Sequence, residues 1–172
     1  MKEIVRYGFI LSLICIIAAL SLSVVNSATK PRIIAQAKIE EEASLRQVLP
    51  DAVRFEPEKK EEETLYYKAY DSEDKFIGVA FKAQGKGYSS VIETMVGMIP
   101  DGTITAIKIL AQNETPGMGT RIQEPSFIQQ FTQKNIKDLS GVQAITSATI
   151  SSKAVIDSVK KKAKEIRELI NG

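Results

Sequence analysis

The sequence predicts an α+β protein, with one membrane-spanning helix at its amino end and then a domain in which helices flank an antiparallel sheet. Three observations predict this fold class. The stretch Tyr7–Thr29 has no charged residue, several short β-branched or aromatic runs follow one another between residues 65 and 110, and an apolar pattern with helical spacing closes the chain. Strands in series followed by helices are typical of α+β domains.

Composition excludes several classes of chemistry. The 172 residues contain no histidine and one cysteine, Cys15, which lies inside the charge-free stretch. A Ser-His-Asp triad, a Cys-His dyad, a histidine-held haem, a cysteine-ligated zinc ion and an iron–sulfur cluster are therefore excluded within this chain, and we expect no metal site. The net charge of +2 argues against a nucleic-acid binder.

The charge-free stretch is long enough to cross a membrane once. As a helix, Tyr7–Thr29 with its apolar core Phe9–Val25 covers roughly 30 Å of hydrocarbon. Basic residues flank both ends, so the positive-inside rule alone decides the orientation weakly. We expect residues 1–6 to be cytoplasmic and the domain to be exported. The alternative, a cleaved signal peptide, is disfavoured because the apolar region is long and Val25-Asn26-Ser27 is a poor cleavage site.

A connector, residues 30–63, is expected between the membrane helix and the domain, residues 64–172. Pro31 predicts the first turn of a helix that stops near Pro50. The stretch Glu56–Glu63 contains blocks of lysine and glutamate, which predict a solvated loop.

Four strands are predicted in series. They are Leu65–Tyr70, Phe76–Ala83, Val91–Met98 and Ile104–Leu110. Asp71–Asp74 and Pro100–Gly102 resemble hairpin turns, so adjacent strands should be antiparallel. Gly85-Lys86-Gly87-Tyr88 should separate the second strand from the third. Its glycines either let the backbone approach a ligand or form a plain loop.

Two helices are expected after the sheet. The first is short and passes through Phe127, Ile128 and Phe131. The second begins at about Ser152 and continues to the end of the chain. One face of this second helix is apolar: Val155, Ile156, Val159, Ala163, Ile166 and Ile170.

Two polar segments are candidates for chemistry. In the loop Asn113–Thr120, Pro116-Gly117 fits a type II turn, and a turn alone is a sufficient explanation. The run Ala144–Ser152 consists mostly of small and hydroxyl residues ahead of the last helix. Ser151 or Ser152 could simply be the N-cap, but the N-terminus of a helix also binds phosphate. The run lacks the lysine and the spaced glycines of a nucleoside-triphosphate site.

The second segment resembles a known modification motif. Thr146-Ser147-Ala148-Thr149 is similar to the flavinylation motif of the FMN-binding domain that occurs in the G subunit of the Rnf electron-transport complex and in the C subunit of the sodium-pumping NADH:quinone reductase. The resemblance implies that a separate flavin transferase bonds the Thr149 hydroxyl to the phosphate of FMN. The chain departs from the pattern at Gln143, where an acidic residue is usual, and at Ser147, where glycine is commonest. Serine adopts positive φ less readily than glycine.

Further residues extend the resemblance. Glu114-Thr115-Pro116-Gly117-Met118-Gly119 is similar to a Glu-Thr-Pro-Gly-(Leu/Met)-Gly segment of the family, and Gly87-Tyr88 matches its glycine-tyrosine turn. The implied cofactor-binding residues besides Thr149 are Thr146, Ser147, Ala148, Glu114, Thr115, Gly117, Met118, Gly119, Thr120, Gly87 and Tyr88. Among these, Glu114, Thr115, Met118 and Thr120 are expected to line the ring or the phosphate, and Gly87 and Gly117 to permit close approach.

The resemblance implies a membrane-anchored flavoprotein subunit of an ion-translocating ferredoxin:NAD oxidoreductase complex. Its cofactor would be covalent FMN, and its partners would be the other Rnf membrane subunits and the flavin transferase. It would lie in the cell (inner) membrane with the FMN domain on the extracytoplasmic side. We expect no catalytic residue and no independent turnover, because the flavin does the redox work.

Three alternatives stay open at this point. The first is a membrane-anchored binding or assembly protein in which residues 146–152 only cap a helix. The second is a component similar to the C subunit of the sodium-pumping NADH:quinone reductase, although the short chain favours the G subunit of the Rnf complex. The third is a stand-alone flavin reductase that passes electrons to an exported acceptor.

Overall fold

The computed structural model describes residues 2–60 and 63–171, which divide into two compact units, residues 1–40 and 41–172. The described residues form a long helix followed by five strands, three 3-10 segments and two further helices. The elements are α1 (Lys2–Val48), β1 (Arg54–Lys60), β2 (Glu63–Tyr70), β3 (Phe76–Lys86), β4 (Val91–Met98), β5 (Ile104–Ala111), 3-10 turns at Gly119–Gln123, Gln129–Phe131 and Leu139–Gly141, α2 (Pro125–Ile128) and α3 (Thr149–Asn171).

Helix α1 contains the charge-free stretch. Within the described residues it is the one helix whose length and composition would allow it to cross a membrane, and its most apolar 18-residue window has a mean hydropathy of 2.7. The prediction that a helix begins at Pro31 is wrong, because Pro31 lies inside α1. A proline lacks one N–H donor, and here the helix continues through that loss. The predicted stop near Pro50 is confirmed, since α1 ends at Val48.

The five strands form one antiparallel meander in the order β1-β2-β3-β4-β5. All four predicted strands are present, and β3 extends three residues beyond its predicted end, to Lys86. Both predicted hairpin turns are confirmed. Asp74 N donates to Asp71 O (3.2 Å), and Gly102 N donates to Ile99 O (3.0 Å).

The prediction of a solvated loop at Glu56–Glu63 is wrong, because strand β1 occupies most of this stretch. Residues 54–60 pair with β2 at the edge of the sheet. Most of their side chains are exposed, so the apolar alternation that identifies a half-buried strand is missing. Charged residues and a proline, here Pro57, are typical of edge strands. Lys68 of β2 also pairs with Glu58 (3.2 Å).

The sheet is covered on both faces. On one face α3 packs through Val155, Val159, Ala163 and Ile166, as its apolar pattern predicts. Residues 45–52, at and just after the end of α1, cover the other face and contact side chains such as that of Met95. This arrangement fixes the amino end of α3 relative to the loops that follow β3 and β5.

Helix α3 begins at Thr149, three residues before its predicted start. Its first intrahelical bond runs from Ser152 N to Ala148 O (2.9 Å). The prediction that Ser151 or Ser152 is the N-cap is therefore wrong, because both serines lie in the first turn. Their hydroxyls are used elsewhere: Ser151 Oγ donates to Glu114, and Ser152 Oγ accepts from Ile145 N (3.1 Å).

Candidate functional site

The loop after β5 contains the predicted proline-glycine turn. Met118 N donates to Thr115 O (3.1 Å), and Gly117, in the third position of this turn, has φ +75°. A type II turn requires positive φ at that position, which glycine adopts without steric cost. The Thr120 hydroxyl accepts from Gly117 N (3.0 Å), so this side chain stabilises the loop.

A second turn of the same kind leads into α3. Ala148 N donates to Ile145 O (3.0 Å), and Ser147 occupies the third position with φ +71°. The position therefore has the backbone conformation that favours glycine. The carbonyl oxygen of Thr146 accepts from Arg121 Nη1 at 3.5 Å. This turn places Thr149 at the first position of the helix.

The Thr149 side chain is exposed at the amino end of α3. Because the first intrahelical donor is Ser152 N, the N–H groups of Thr149, Ile150 and Ser151 precede the hydrogen-bonded ladder of the helix. Such groups, together with the positive end of the helix dipole, stabilise a negative charge. A phosphate on the Thr149 hydroxyl would lie in this favourable field.

Glu114 is buried at the centre of the site, with 5% of its surface exposed. Its Oε1 accepts hydrogen bonds from the backbone N–H of Ser89 (3.0 Å) and Ser90 (2.9 Å). Its Oε2 accepts from Tyr88 N (3.1 Å) and from Ser151 Oγ (2.6 Å). One carboxylate therefore joins the turn after β3 to the first turn of α3.

The hydrogen bonds keep this carboxylate ionised. Burial alone would raise the pKa of Glu114, because it penalises the charged form. The bond from Ser151 and those from the backbone N–H groups of Ser90, Ser89 and Tyr88 act in the opposite direction. They prevail, and the pKa of Glu114 falls from 4.5 to about 2.

Two glycines make room for Glu114. A Cβ atom on Gly87 would lie 2.6 Å from Glu114 Oε1, and one on Gly119 would lie 2.6 Å from Glu114 Cβ. Both distances are well below van der Waals contact. Any other residue at either position would displace the carboxylate or the neighbouring backbone.

The two motifs meet in one cleft of about 480 Å³. Its lining residues come from the turn after β3, the loop after β5 and the start of α3: Tyr88, Glu114, Thr115, Met118, Gly119, Ser147, Ala148, Thr149, Ile150 and Ser151. Most of the predicted site residues are thus brought together. The exceptions are Gly87, Gly117, Thr120 and Thr146, which are not among the lining residues.

Two lining residues are absent from the predicted site. Ile150 lines the cleft with 54% of its surface exposed. Ser151 is predicted only as a possible helix cap. Both closely follow Thr149, so extending the motif by one helical turn would have found them.

A larger cleft of about 570 Å³ lies elsewhere, where the amino end of β2 diverges from β3. Charged side chains such as Glu41, Lys82 and Lys161 line it, and it contains none of the motif residues. Within residues 2–60 and 63–171, no group of three metal-ligating side chains converges. The smaller cleft beside Thr149 is therefore the candidate site.

Comparison with known families identifies two regions of the chain. Residues 87–164 match the family model of the FMN-binding domain, which includes the whole cleft lining. Residues 1–48 match the model of the RnfG N-terminal region, which coincides with α1. The FMN-binding domain supports FMN as the cofactor.

Relatives match over nearly the full length. The chain is 32% identical to the G subunit of an ion-translocating oxidoreductase complex from Methanosarcina acetivorans, covering 92% of each chain. It is 31% identical to the G subunit of the proton-translocating ferredoxin:NAD(+) oxidoreductase complex from Clostridium ljungdahlii, covering 94% of this chain and 91% of that one. The crystal structure of Shewanella oneidensis NqrC is 19% identical, with a TM-score of 0.49, covering 70% of this chain and 74% of that one. The chain belongs to the family of RnfG proteins, the G subunits of ion-translocating oxidoreductase complexes.

Proposed function

We propose that this protein is the membrane-anchored flavoprotein subunit of an ion-translocating ferredoxin:NAD oxidoreductase complex, and that it carries electrons through FMN bonded to Thr149 by a phosphoester. One observation carries the proposal. The exposed hydroxyl of Thr149 stands at the first position of α3 and borders the cleft in which the two family motifs meet. The names of the relatives that match over nearly the full length support the same role.

The residues of the cleft fit FMN. Its volume of about 480 Å³ falls within the range of roughly 300–1,000 Å³ for small-molecule sites. The amino end of α3 suits the phosphate, because its N–H groups and dipole favour an anion. Tyr88, Met118 and Ile150 line the cleft, and each has more than half of its surface exposed. Their apolar surfaces suit the flat face of the isoalloxazine ring.

The cofactor and the protein have different roles in this proposal. FMN supplies the capacity to accept and release electrons, and the chain binds and orients it. The ester forms between Thr149 Oγ1 and the FMN phosphorus, with loss of the hydroxyl proton and of the group that the donor carries on that phosphorus.

Helix α1 has no charged side chain between Tyr7 and Thr29, so it offers no path for an ion. Ion translocation is therefore assigned to the partner subunits. The name of one relative specifies a proton-translocating complex and that of another a sodium-translocating complex, so we do not specify the translocated ion.

The proposed topology places residues 1–6 in the cytoplasm, residues 7–29 in the membrane and the FMN domain outside. A covalent bond suits this location, because an exported carrier cannot recover a lost cofactor from the cytoplasmic pool. The connector, residues 30–63, then includes the end of α1 and strand β1.

Labelling of introduced cysteines tests the topology. In a Cys15→Ser background, Ser72→Cys is expected to react in intact cells with a membrane-impermeant maleimide, and Glu3→Cys is expected to react only after lysis. Both positions are exposed. The reverse pattern would contradict the proposed orientation.

In-gel fluorescence tests the attachment site. After expression with a flavin transferase, the denatured wild-type protein should give a fluorescent band under ultraviolet light. Thr149→Ala should abolish the band, and Thr132→Ala, at an exposed threonine outside both motifs, should retain it. A fluorescent Thr149→Ala band would show that another hydroxyl is the acceptor. A colourless wild-type protein would favour a membrane-anchored assembly protein instead.

A further inference from the structure

The flavin cleft has two walls that come from distant parts of the chain. The turn at residues 87–90 contributes Tyr88, and the first turn of α3 contributes Thr149 and Ile150. Glu114, from the segment after β5, hydrogen-bonds to both walls. The side chain that joins the walls is thus anchored in a third segment.

We propose that Glu114 is a positioning residue, whose carboxylate holds the turn at residues 87–90 against the first turn of α3 and sets the shape of the cleft without itself binding the flavin. This inference rests on the proposed function, because it assigns a role within the FMN site.

The hydrogen-bonding capacity of the carboxylate is already used. A carboxylate has about four lone-pair sites. In Glu114, Oε1 accepts from Ser89 N, Ser90 N and Ser90 Oγ (3.0, 2.9 and 3.2 Å), and Oε2 accepts from Tyr88 N and Ser151 Oγ (3.1 and 2.6 Å). Five donors therefore occupy the two oxygens, which leaves no acceptor site for a hydroxyl group of the flavin.

The position also requires a carboxylate of this length. Each oxygen accepts from at least one backbone N–H, which can only donate, so a glutamine would turn its NH₂ donor toward another donor. An aspartate is one methylene shorter. Gly87 and Gly119 lie close to the Glu114 side chain, since a Cβ on either would lie 2.6 Å from one of its atoms. Glu114→Gln is therefore the substitution that keeps the length and shape of the side chain and removes the pattern of hydrogen bonds that its two oxygens accept.

Amide hydrogen exchange on the flavin-free full-length protein tests the link to the turn. Glu114→Gln is expected to accelerate exchange at Tyr88, Ser89 and Ser90 by at least about tenfold, because these amides lose a charged acceptor. Glu93→Gln, a carboxylate of β4 that lies outside the cleft lining and bonds Gln84, is the matched control and should leave the three amides unchanged. Because no flavin is needed, this result is independent of whether FMN attaches at Thr149.

The flavin-loaded protein tests the effect on the cleft. In Glu114→Gln, quenching of the flavin fluorescence by iodide is expected to rise at least about twofold. Unchanged amide exchange together with an altered flavin spectrum would overturn the proposal, because Glu114 would then act on the flavin directly. Unchanged exchange and unchanged quenching would overturn it as well.

Ser151→Ala keeps the test decisive if Glu114→Gln does not fold. This substitution removes one donor, on α3, and leaves the bonds between Glu114 and the turn in place. Iodide quenching should rise while exchange at Ser89 and Ser90 stays at the wild-type rate. Wild-type quenching in Ser151→Ala would contradict the positioning role.

Discussion

Replacing Ser147 by glycine is expected to raise the free energy of unfolding by about 0.5–1 kcal/mol. The backbone of Ser147 has φ +71°, and a side chain in the left-handed region costs roughly 1–2 kcal/mol. Glycine removes that cost but loses more conformational entropy on folding, which offsets roughly 0.4–1 kcal/mol of the gain. The remainder corresponds to a rise in Tm of roughly 2–4 °C for a domain of this size.

Thermal and urea unfolding of the flavin-free protein in detergent would measure this gain. Ser147→Ala is the matched control, because alanine keeps the steric cost while removing the hydroxyl, and it should give no gain. Gln133→Gly provides a second test, because Gln133 is also exposed and has φ +60°. This substitution should raise the free energy of unfolding by a similar amount. A Ser147→Gly variant no more stable than Ser147→Ala would refute the reasoning.

Three further predictions concern stability. The pKa of Glu114 is lowered to about 2, so the ionised carboxylate should stabilise the folded protein by about 3 kcal/mol above pH 5, and this stabilisation should be lost as the pH falls through 2. The difference in free energy of unfolding between wild type and Glu114→Gln should therefore shrink by more than half from pH 7 to pH 3. A constant difference would contradict this prediction. Thr94 Oγ1 is buried and has no hydrogen-bond partner in the described chain, so Thr94→Val should raise the free energy of unfolding by about 1 kcal/mol, seen as a higher urea midpoint. Ile166→Ala should lower it by about 2–5 kcal/mol, because the Ile166 side chain of α3 is fully buried against the sheet; a loss below about 1 kcal/mol would show that α3 does not pack as described.

The fold was predictable where burial leaves a pattern in the sequence. Strands β2 to β5 and the apolar face of α3 pack against a core, so their apolar residues recur with the period of the element. Strand β1 left no such pattern, because an edge strand with most of its side chains in water needs no apolar residues. Pro31 suggested a helix start, but sequence alone does not show whether a helix continues through a proline.

The clustering of most candidate residues in one cleft was predictable from the motifs, whereas the contacts among them were not. Thr149, Ser147 and Met118 were identified from motifs, and the structure brings them to one cleft. The hydrogen bonds of Glu114 could not be predicted, because they depend on the approach of a turn that lies 24 to 26 residues earlier in the chain. Ser151 was predicted as a possible helix cap, because the sequence does not show that its hydroxyl donates to Glu114, a residue distant in the chain.

Peptide mass spectrometry tests the central claim most directly. The protein would be expressed with a flavin transferase, digested, and the peptide containing residues 146–152 fragmented. The expected result is an added mass equal to FMN less one water, carried by Thr149 and absent from Thr149→Ala. An unmodified peptide from the wild-type protein, or the same added mass on Thr146 or Ser147, would contradict it.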